Sequence, residues 1–132
     1  MPVEFRIIIW RKMLRVEREK LFVFGDNLER YGMDGQAGEM RGEPNAVGLP
    51  TKRFPSMQSC AMLNDDDLER IRDASAMERD RLLCHVRTGG IVVWPARGIG
   101  TGLARLGTNA PAIAAFYAGF LRALQAEPIS RP

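Results

Sequence analysis

The chain has 132 residues, of which 45% are hydrophobic and 27% are charged, and its formal net charge is +3. This length fits one domain that can bury a core without disulfide or metal cross-links. The composition excludes a disordered or fibrous chain. The excess charge is small and mixed along the chain, so it permits an anionic partner without requiring nucleic acid. We expect a single domain over residues 1–127, followed by a frayed tail at residues 128–132.

Residues that commonly bind metals are scarce. Cys60 and Cys84 lie far apart and outside any CxxC or Cys/His pattern, which favours two reduced thiols in a cytoplasmic protein. His85 is the one histidine, which argues against a histidine-rich metal centre and most Ser-His-Asp arrangements. No apolar run approaches the ~20 residues of a membrane span. We therefore expect no metal, no cofactor and no membrane contact, and the sequence leaves the oligomeric state open.

The first half of the chain predicts two strands and one short helix. Residues 3–10 are rich in β-forming side chains and predict the first strand. The charged segment 11–20 fits a continued strand, a short helix or a hairpin. The run L-F-V-F-G at residues 21–25 predicts the second strand, and residues 36–40 predict a short helix ended by Gly42.

The second half predicts two more strands and three helices. A short strand is expected at residues 44–50 between prolines, and Asn64 followed by three aspartates predicts a helix start. Consecutive aspartates on a helix do not converge on one ion, so we prefer this interpretation to a cation site. A helix at 75–87, a strand at 91–94 and a helix at 112–124 complete the pattern.

Two glycine-bearing loops follow predicted strands. The first spans residues 25–42 and begins with Asp26 and Asn27; the second is A-R-G-I-G-T-G at residues 96–102. Loops after parallel strands open on the same edge of a sheet, so we expect them to form one cleft. Glycines there allow backbone N–H groups to approach a phosphate, and we expect the N-terminus of the last helix to add a partial charge of roughly +0.5. A bare G-x-G-x-G is a weak signal, and tight turns would also explain these glycines.

A resemblance favours the binding interpretation. The segment V-V-W-P-A-R-G-I-G-T-G-L-A-R-L-G resembles the ligand loop of macro domains, in which a strand runs into P-A-x-x-T-G-x-x-G around the diphosphate of ADP-ribose. This chain has one extra residue between Ala96 and Thr101. The stretches V-F-G-D-N and G-M-D-G-Q-A-G-E-M-R-G are similar to the asparagine-ended strand and the G-V-D-G-A-I-H stretch of that family. The chain also resembles small bacterial and phage macro-like proteins with F-V-F-G-D-N and G-I-G-T-G-L-A motifs.

The resemblance implies an α/β fold: one three-layer macro-like domain with a mixed, largely parallel central sheet flanked by helices. It also implies that Asn27 contacts the distal ribose and that Asp34 lies near the catalytic acid. The ligand-binding residues that we predict are Asn27, Gly35, Arg97, Gly98, Ile99, Gly100, Thr101 and Gly102. The expected partner is a small nucleotide such as ADP-ribose.

If the protein is an enzyme, we expect hydrolysis at the anomeric carbon of a ribose or at a phosphate ester. A carboxylate would orient or deprotonate water while backbone donors hold the phosphates. Asp34 is the first candidate and Asp26 the second, although each fits a turn or cap residue equally well. Arg97 and Lys52 are candidates for phosphate recognition through their positive charge.

The alternative is a non-catalytic module that binds nucleic acid or protein. It would use basic residues concentrated near the N-terminus, namely Arg6, Arg11, Lys12, Arg15, Arg18, Lys52 and Arg53. Such binding would weaken steeply with salt. Glu4, Glu17 and Glu19 interrupt these basic residues, which makes this the second choice.

Overall fold

A computed structural model of the protein describes residues 2–101 and 104–128. Its centre is one sheet of four strands in the order β1-β4-β2-β3. The strands are β1 (Val3–Arg6), β2 (Leu21–Asn27), β3 (Ala46–Lys52) and β4 (Val92–Pro95). Every pairing between these strands is parallel, so the α/β class is confirmed and the described sheet is parallel where a mixed one was expected.

The described residues also form six helices and two short 3₁₀ turns. The helices are α1 (Arg11–Val16), α2 (Ala37–Met40), α3 (Leu68–Ala74), α4 (Ala76–Arg87), α5 (Leu106–Asn109) and α6 (Pro111–Ala126). The 3₁₀ turns are Ser59–Ala61 and Asp65–Asp67. Asn64 and Asp67 form a reciprocal capping box at the second turn, which confirms the helix start that the sequence predicts there.

Helices cover both faces of the sheet and give the fold its three layers. Successive residues of β2 alternate between two apolar clusters, because side chains of a strand point to opposite faces. Leu21 and Val23 pack in the larger cluster, which holds buried residues of α3, α4, α5 and α6. Phe22 and Phe24 pack in the smaller cluster, with Leu14 of α1 and other residues of the N-terminal half.

The carboxyl ends of all four strands lie at one edge of the sheet, because the strands are parallel. The register pairs Gly25 of β2 with Leu49 of β3, and an irregularity between Asp26 and Asn27 brings Asn27 opposite Lys52. On the other side, Arg6 of β1 pairs with Pro95 of β4. The chain segments that follow these strand ends therefore converge at the same edge, as the sequence predicts.

Several boundaries differ from the prediction. β1 ends at Arg6 because β4, its only partner strand among the described residues, ends opposite it at Pro95. The charged segment 11–20 contains the helix α1, and the third strand lies two residues later than expected, at Ala46–Lys52. The short helix α5 was not predicted. Of the expected tail, residues 129–132 lie outside the described residues.

Candidate functional site

A cleft of about 560 Å³ opens at the carboxyl edge of the sheet. Its lining comes from the chain after β1, after β2 and after β4, and from the end of β3. The lining residues are Ile7, Ile8, Ile9, Gly25, Asp34, Gly35, Gln36, Thr51, Lys52, Pro95, Arg97, Gly98, Ile99, Gly100, Thr101 and Ala104. The two glycine-bearing loops thus face one cleft. Of the predicted site residues, Asp34, Gly35, Arg97 and those from Gly98 to Thr101 line it; Gly102 lies outside the described residues.

The loop after β4 is built around two left-handed glycines. Gly98 has a φ of 86° and Gly100 a φ of 71°, a conformation that side chains disfavour. The amide of Gly98 donates to the carbonyl of Pro95 at 2.8 Å, and the carbonyl of Gly100 accepts from the amide of Leu106 at 2.7 Å. These bonds anchor the loop on both sides of Ile99, whose side chain is buried.

The amides of Ile99, Gly100 and Thr101 form no hydrogen bond with any residue that the structure describes. Consecutive N–H groups in a loop that alternates between left-handed and other conformations form a concave anion-binding nest. The loop lies at the cleft, which these three residues help to line. We call residues 99–101 the amide nest.

The opposite wall carries Asp34 and Gly35. Asp34 is exposed, and Gly35 adopts a left-handed φ of 60° just before α2. The carbonyl of Gly35 accepts from the amide of Gly38 at 3.2 Å, which ties this wall to the first turn of α2. Asp34 is the only carboxylate among the described residues that line the cleft.

Asp26, the second catalytic candidate, does not line the cleft. Its side chain is 3% exposed and forms ion pairs with Arg30 and Arg41. Oδ1 also accepts from the amide of Asn27 at 2.8 Å. Arg30 further donates to the carbonyls of Gly48 at 2.6 Å and Ala74 at 2.7 Å. With these partners the carboxylate ties the end of β2 to β3 and α3.

The side-chain amide of Asn27 also forms hydrogen bonds within its own turn. Its Nδ2 donates to the carbonyl of Tyr31 at 2.8 Å, and its Oδ1 accepts from the amide of Glu29 at 3.0 Å. The residue is 5% exposed and does not line the cleft. Both polar atoms of the Asn27 side chain thus have hydrogen-bond partners within the turn.

Positive charge reaches the cleft from two sides. Lys52 stands at the end of β3 and Arg97 in the loop after β4. The Nζ of Lys52 donates to the carbonyl of Ser56 at 3.3 Å. Within residues 2–101 and 104–128 neither side chain forms an ion pair, so both charges remain available to an anion.

Contrary to expectation, no residue of the last helix lines the cleft. α5 intervenes after the loop, and the chain bends at Ala110 before α6 begins at Pro111. The amide of Ala112 donates to Oδ1 of Asp65 at 2.9 Å. The positive end of α6 is thus capped by a carboxylate from the 3₁₀ turn.

Most basic residues of the alternative hypothesis are paired with carboxylates. Arg6 pairs with Glu4 and Glu17, and Arg53 pairs with Asp67 at 2.8 Å. Glu43 accepts from three arginines, namely Arg11, Arg15 and Arg18. The surface around α1 therefore carries mixed charge.

Two of these carboxylates, Glu43 and Glu17, have pKa values lowered to about 2. The hydrogen bond from Arg11 is the largest cause that lowers the pKa of Glu43 to about 2, and Arg18 and Arg15 act in the same direction. The hydrogen bond from Arg6 lowers the pKa of Glu17 to about 2 against the opposing effect of burial. Both glutamates are therefore ionised at neutral pH.

Sequence reasoning missed the isoleucines after β1 as cleft residues, whereas Thr51 and Lys52 belong to a polar cluster expected at the end of a strand. Thr51 is buried, and its Oγ1 donates to the carbonyl of Asp26 at 3.2 Å. Ile7 and Ile8 are exposed at the cleft. The sequence carried no signal for them, because residues 3–10 predict one strand, whereas β1 ends at Arg6 and leaves these isoleucines at the edge that carries the glycine loops.

The described residues contain no group of three or more histidine, cysteine, aspartate or glutamate side chains arranged to hold a metal ion. None of their helices combines the length and the apolar character needed to cross a membrane.

These features define an α/β protein with a parallel sheet and a cleft at the carboxyl edge of its strands. A family model matches residues 4–119, and the chain belongs to that family, which is described as a family of unknown function (DUF7831). A search of curated proteins found no match, and neither did a search of solved structures.

Proposed function

We propose that the protein binds ADP-ribose or a related nucleotide diphosphate in this cleft. The amide nest is the observation that carries the proposal. Its N–H groups have no partner among the described residues and lie beside a cleft, an arrangement suited to phosphate oxygens. Lys52 and Arg97 add positive charge near the same loop, which favours a ligand with more than one negative charge.

The size and the lining of the cleft support a ligand larger than a free phosphate. Ligand pockets usually measure about 300–1,000 Å³, and this cleft measures about 560 Å³. Ile7 and Ile8 supply an apolar surface on the side of β1. The combination of apolar and phosphate-binding walls fits a molecule that has both a base and a diphosphate.

Hydrolysis is an extension of this proposal, with Asp34 as the acting group. Its exposed carboxylate faces the same cleft as the amide nest. It would orient or deprotonate a water that attacks the anomeric carbon of a ribose or a phosphate ester, while the nest holds the phosphates. Asp26 takes no part in this scheme because its oxygens are held by Arg30, Arg41 and a backbone amide.

Calorimetric titration with ADP-ribose, NAD and simple nucleotides tests the binding proposal. We expect ADP-ribose to bind the parent protein and Thr101→Glu to raise its Kd at least about tenfold, because the new carboxylate repels phosphate. Thr108→Glu is the matched control, since Thr108 is also exposed but lies on α5 and does not line the cleft. Absence of heat with every ligand at millimolar concentration would refute the proposal.

A further inference from the structure

Gln36 carries the only side-chain amide among the described residues that line the cleft. Its side chain is exposed and forms no hydrogen bond with any residue that the structure describes, including those at the start of α2. A glutamine amide both donates and accepts, whereas Lys52 and Arg97 in the same cleft only donate. Gln36 is therefore suited to an uncharged group that also donates and accepts, such as a sugar hydroxyl.

The backbone on both sides of Gln36 is anchored. The carbonyl of Gly35 accepts from the amide of Gly38 at 3.2 Å. Gly38 also packs so closely on the preceding loop that a Cβ there would lie 2.5 Å from the carbonyl oxygen of Met33. Ala37, the next residue along the chain, is buried in the smaller apolar cluster. Because this backbone is already ordered, a ligand contact at Gln36 costs mainly the ordering of one side chain.

The charge of Asp34 determines which part of a nucleotide suits this wall of the cleft. Asp34 lies two residues from Gln36, and both line the cleft. A carboxylate repels phosphate oxygens, so this wall suits a part of the ligand that carries no phosphate. Ile7 and Ile8 provide the apolar surface that suits a base. The wall of Asp34 and Gln36 is thus best matched to a sugar.

We propose that Gln36 gives the cleft a preference for a nucleoside diphosphate that carries a second sugar, because its amide hydrogen-bonds to hydroxyls of that sugar. This role of Gln36 rests on the proposed function, since it requires the diphosphate to lie at the amide nest. Asp34 lies beside the same sugar, where a carboxylate must be to assist attack at an anomeric carbon. A nucleoside diphosphate without the second sugar leaves the amide of Gln36 in water and gains nothing from it.

Calorimetric titration of the full chain with ADP-ribose and with ADP, which lacks the second sugar, tests this role. We expect Gln36→Ala to raise the Kd for ADP-ribose at least about fivefold, as the loss of one or two hydrogen bonds does. The Kd for ADP should not change. Gln125→Ala is the matched control, since Gln125 is an exposed glutamine of α6 that does not line the cleft, and it should change neither Kd.

The two ligands separate failure of this role from failure of the proposed function. A parent that binds neither ligand at millimolar concentration overturns both. If the parent binds ADP but not ADP-ribose, or if Gln36→Ala weakens both ligands equally or weakens neither, the role of Gln36 is wrong while nucleotide binding stands. Gln36→Met provides a second variant, because it keeps the length of the side chain without its amide. It should weaken ADP-ribose and spare ADP in the same way.

Discussion

Gly100 is the one glycine of the amide nest, and its surroundings leave too little room for a side chain. Its φ is 71°, and a Cβ there would lie 2.9 Å from Cβ of Leu106 and 3.2 Å from Cβ of Thr51. We expect Gly100→Ala to lower the free energy of unfolding by about 1–3 kcal/mol, because it adds backbone strain and overlap. Gly107→Ala is the control, since a Cβ there meets nothing within 4 Å.

Chemical denaturation measures both variants. Gly107 lies within α5, and alanine is favoured over glycine in a helix by about 0.5–1 kcal/mol, so this control should match or exceed the parent in stability. A Gly100→Ala protein as stable as the parent would show that the loop has another conformation in solution.

Substitution by asparagine should change the free energy of unfolding by different amounts at the two aspartates proposed as catalytic candidates. Asp26→Asn removes the charge that Arg30 and Arg41 share, and we expect a loss of about 3 kcal/mol in unfolding free energy. Asp34→Asn changes an exposed side chain and should stay within about 0.5 kcal/mol of the parent. Urea denaturation of both variants checks this, and a reversed order would contradict the assigned roles.

These aspartates also show what the sequence reveals about single residues. Asp34 was placed at the cleft because it lies in a glycine-rich loop after a strand. Asp26 occupies an equally suggestive position, but Arg41 approaches it from 15 residues away, and Arg30, four residues away, also reaches the carbonyl of Ala74. Such convergence depends on packing and leaves no local pattern in the sequence.

At the scale of elements, ion pairs of Glu43 link α1 to the segment between α2 and β3. It pairs with Arg11 at 2.7 Å, with Arg15 at 3.2 Å and with Arg18 at 2.8 Å. The arginines, Arg11 first, lower its pKa from 4.5 to about 2. A carboxyl whose pKa is lowered by folding stabilises the protein above its unfolded pKa and loses that contribution as the pH falls.

Glu43→Gln should therefore change how the free energy of unfolding depends on pH in the acid range. We expect the variant to be less stable than the parent at pH 6, and the difference to shrink as the pH falls from about 4.5 to about 2. Thermal denaturation over this range measures it. Glu19→Gln serves as the control, because Glu19 is exposed. A constant difference between Glu43→Gln and the parent at every pH would show that packing, not charge, is responsible.

Elements whose apolar residues recur with a clear helix or strand period were predictable from the sequence. Elements whose bounds depend on contacts with neighbouring segments were not. The apolar stripe of α6 and the β-forming run of β2 predicted a helix and a strand at nearly the observed positions. The segment of α1 left three interpretations open, because its charges obscure any period until Glu43 provides their partner. The end of β1 was misplaced because it depends on where β4 ends.

At the scale of the molecule, alternation of strands and helices predicted a layered α/β fold, and the structure confirms it. The convergence of both glycine loops also followed from sequence, since it requires only that β2 and β4 be parallel neighbours. The separation of α6 from the loop did not follow, because α5 intervenes and the first turn of α6 is capped by Asp65. The proposed phosphate site therefore includes no residue of α6.

The most direct test of this account is an NMR titration of the full chain with ADP-ribose, following the backbone amides. We predict that Ile99, Gly100 and Thr101 show the largest chemical-shift changes, because their N–H groups would donate to the phosphates. Amides of α3, on the far side of the larger apolar cluster, should not move. No shift in the nest at millimolar ligand, or shifts confined to other surfaces, would contradict the account.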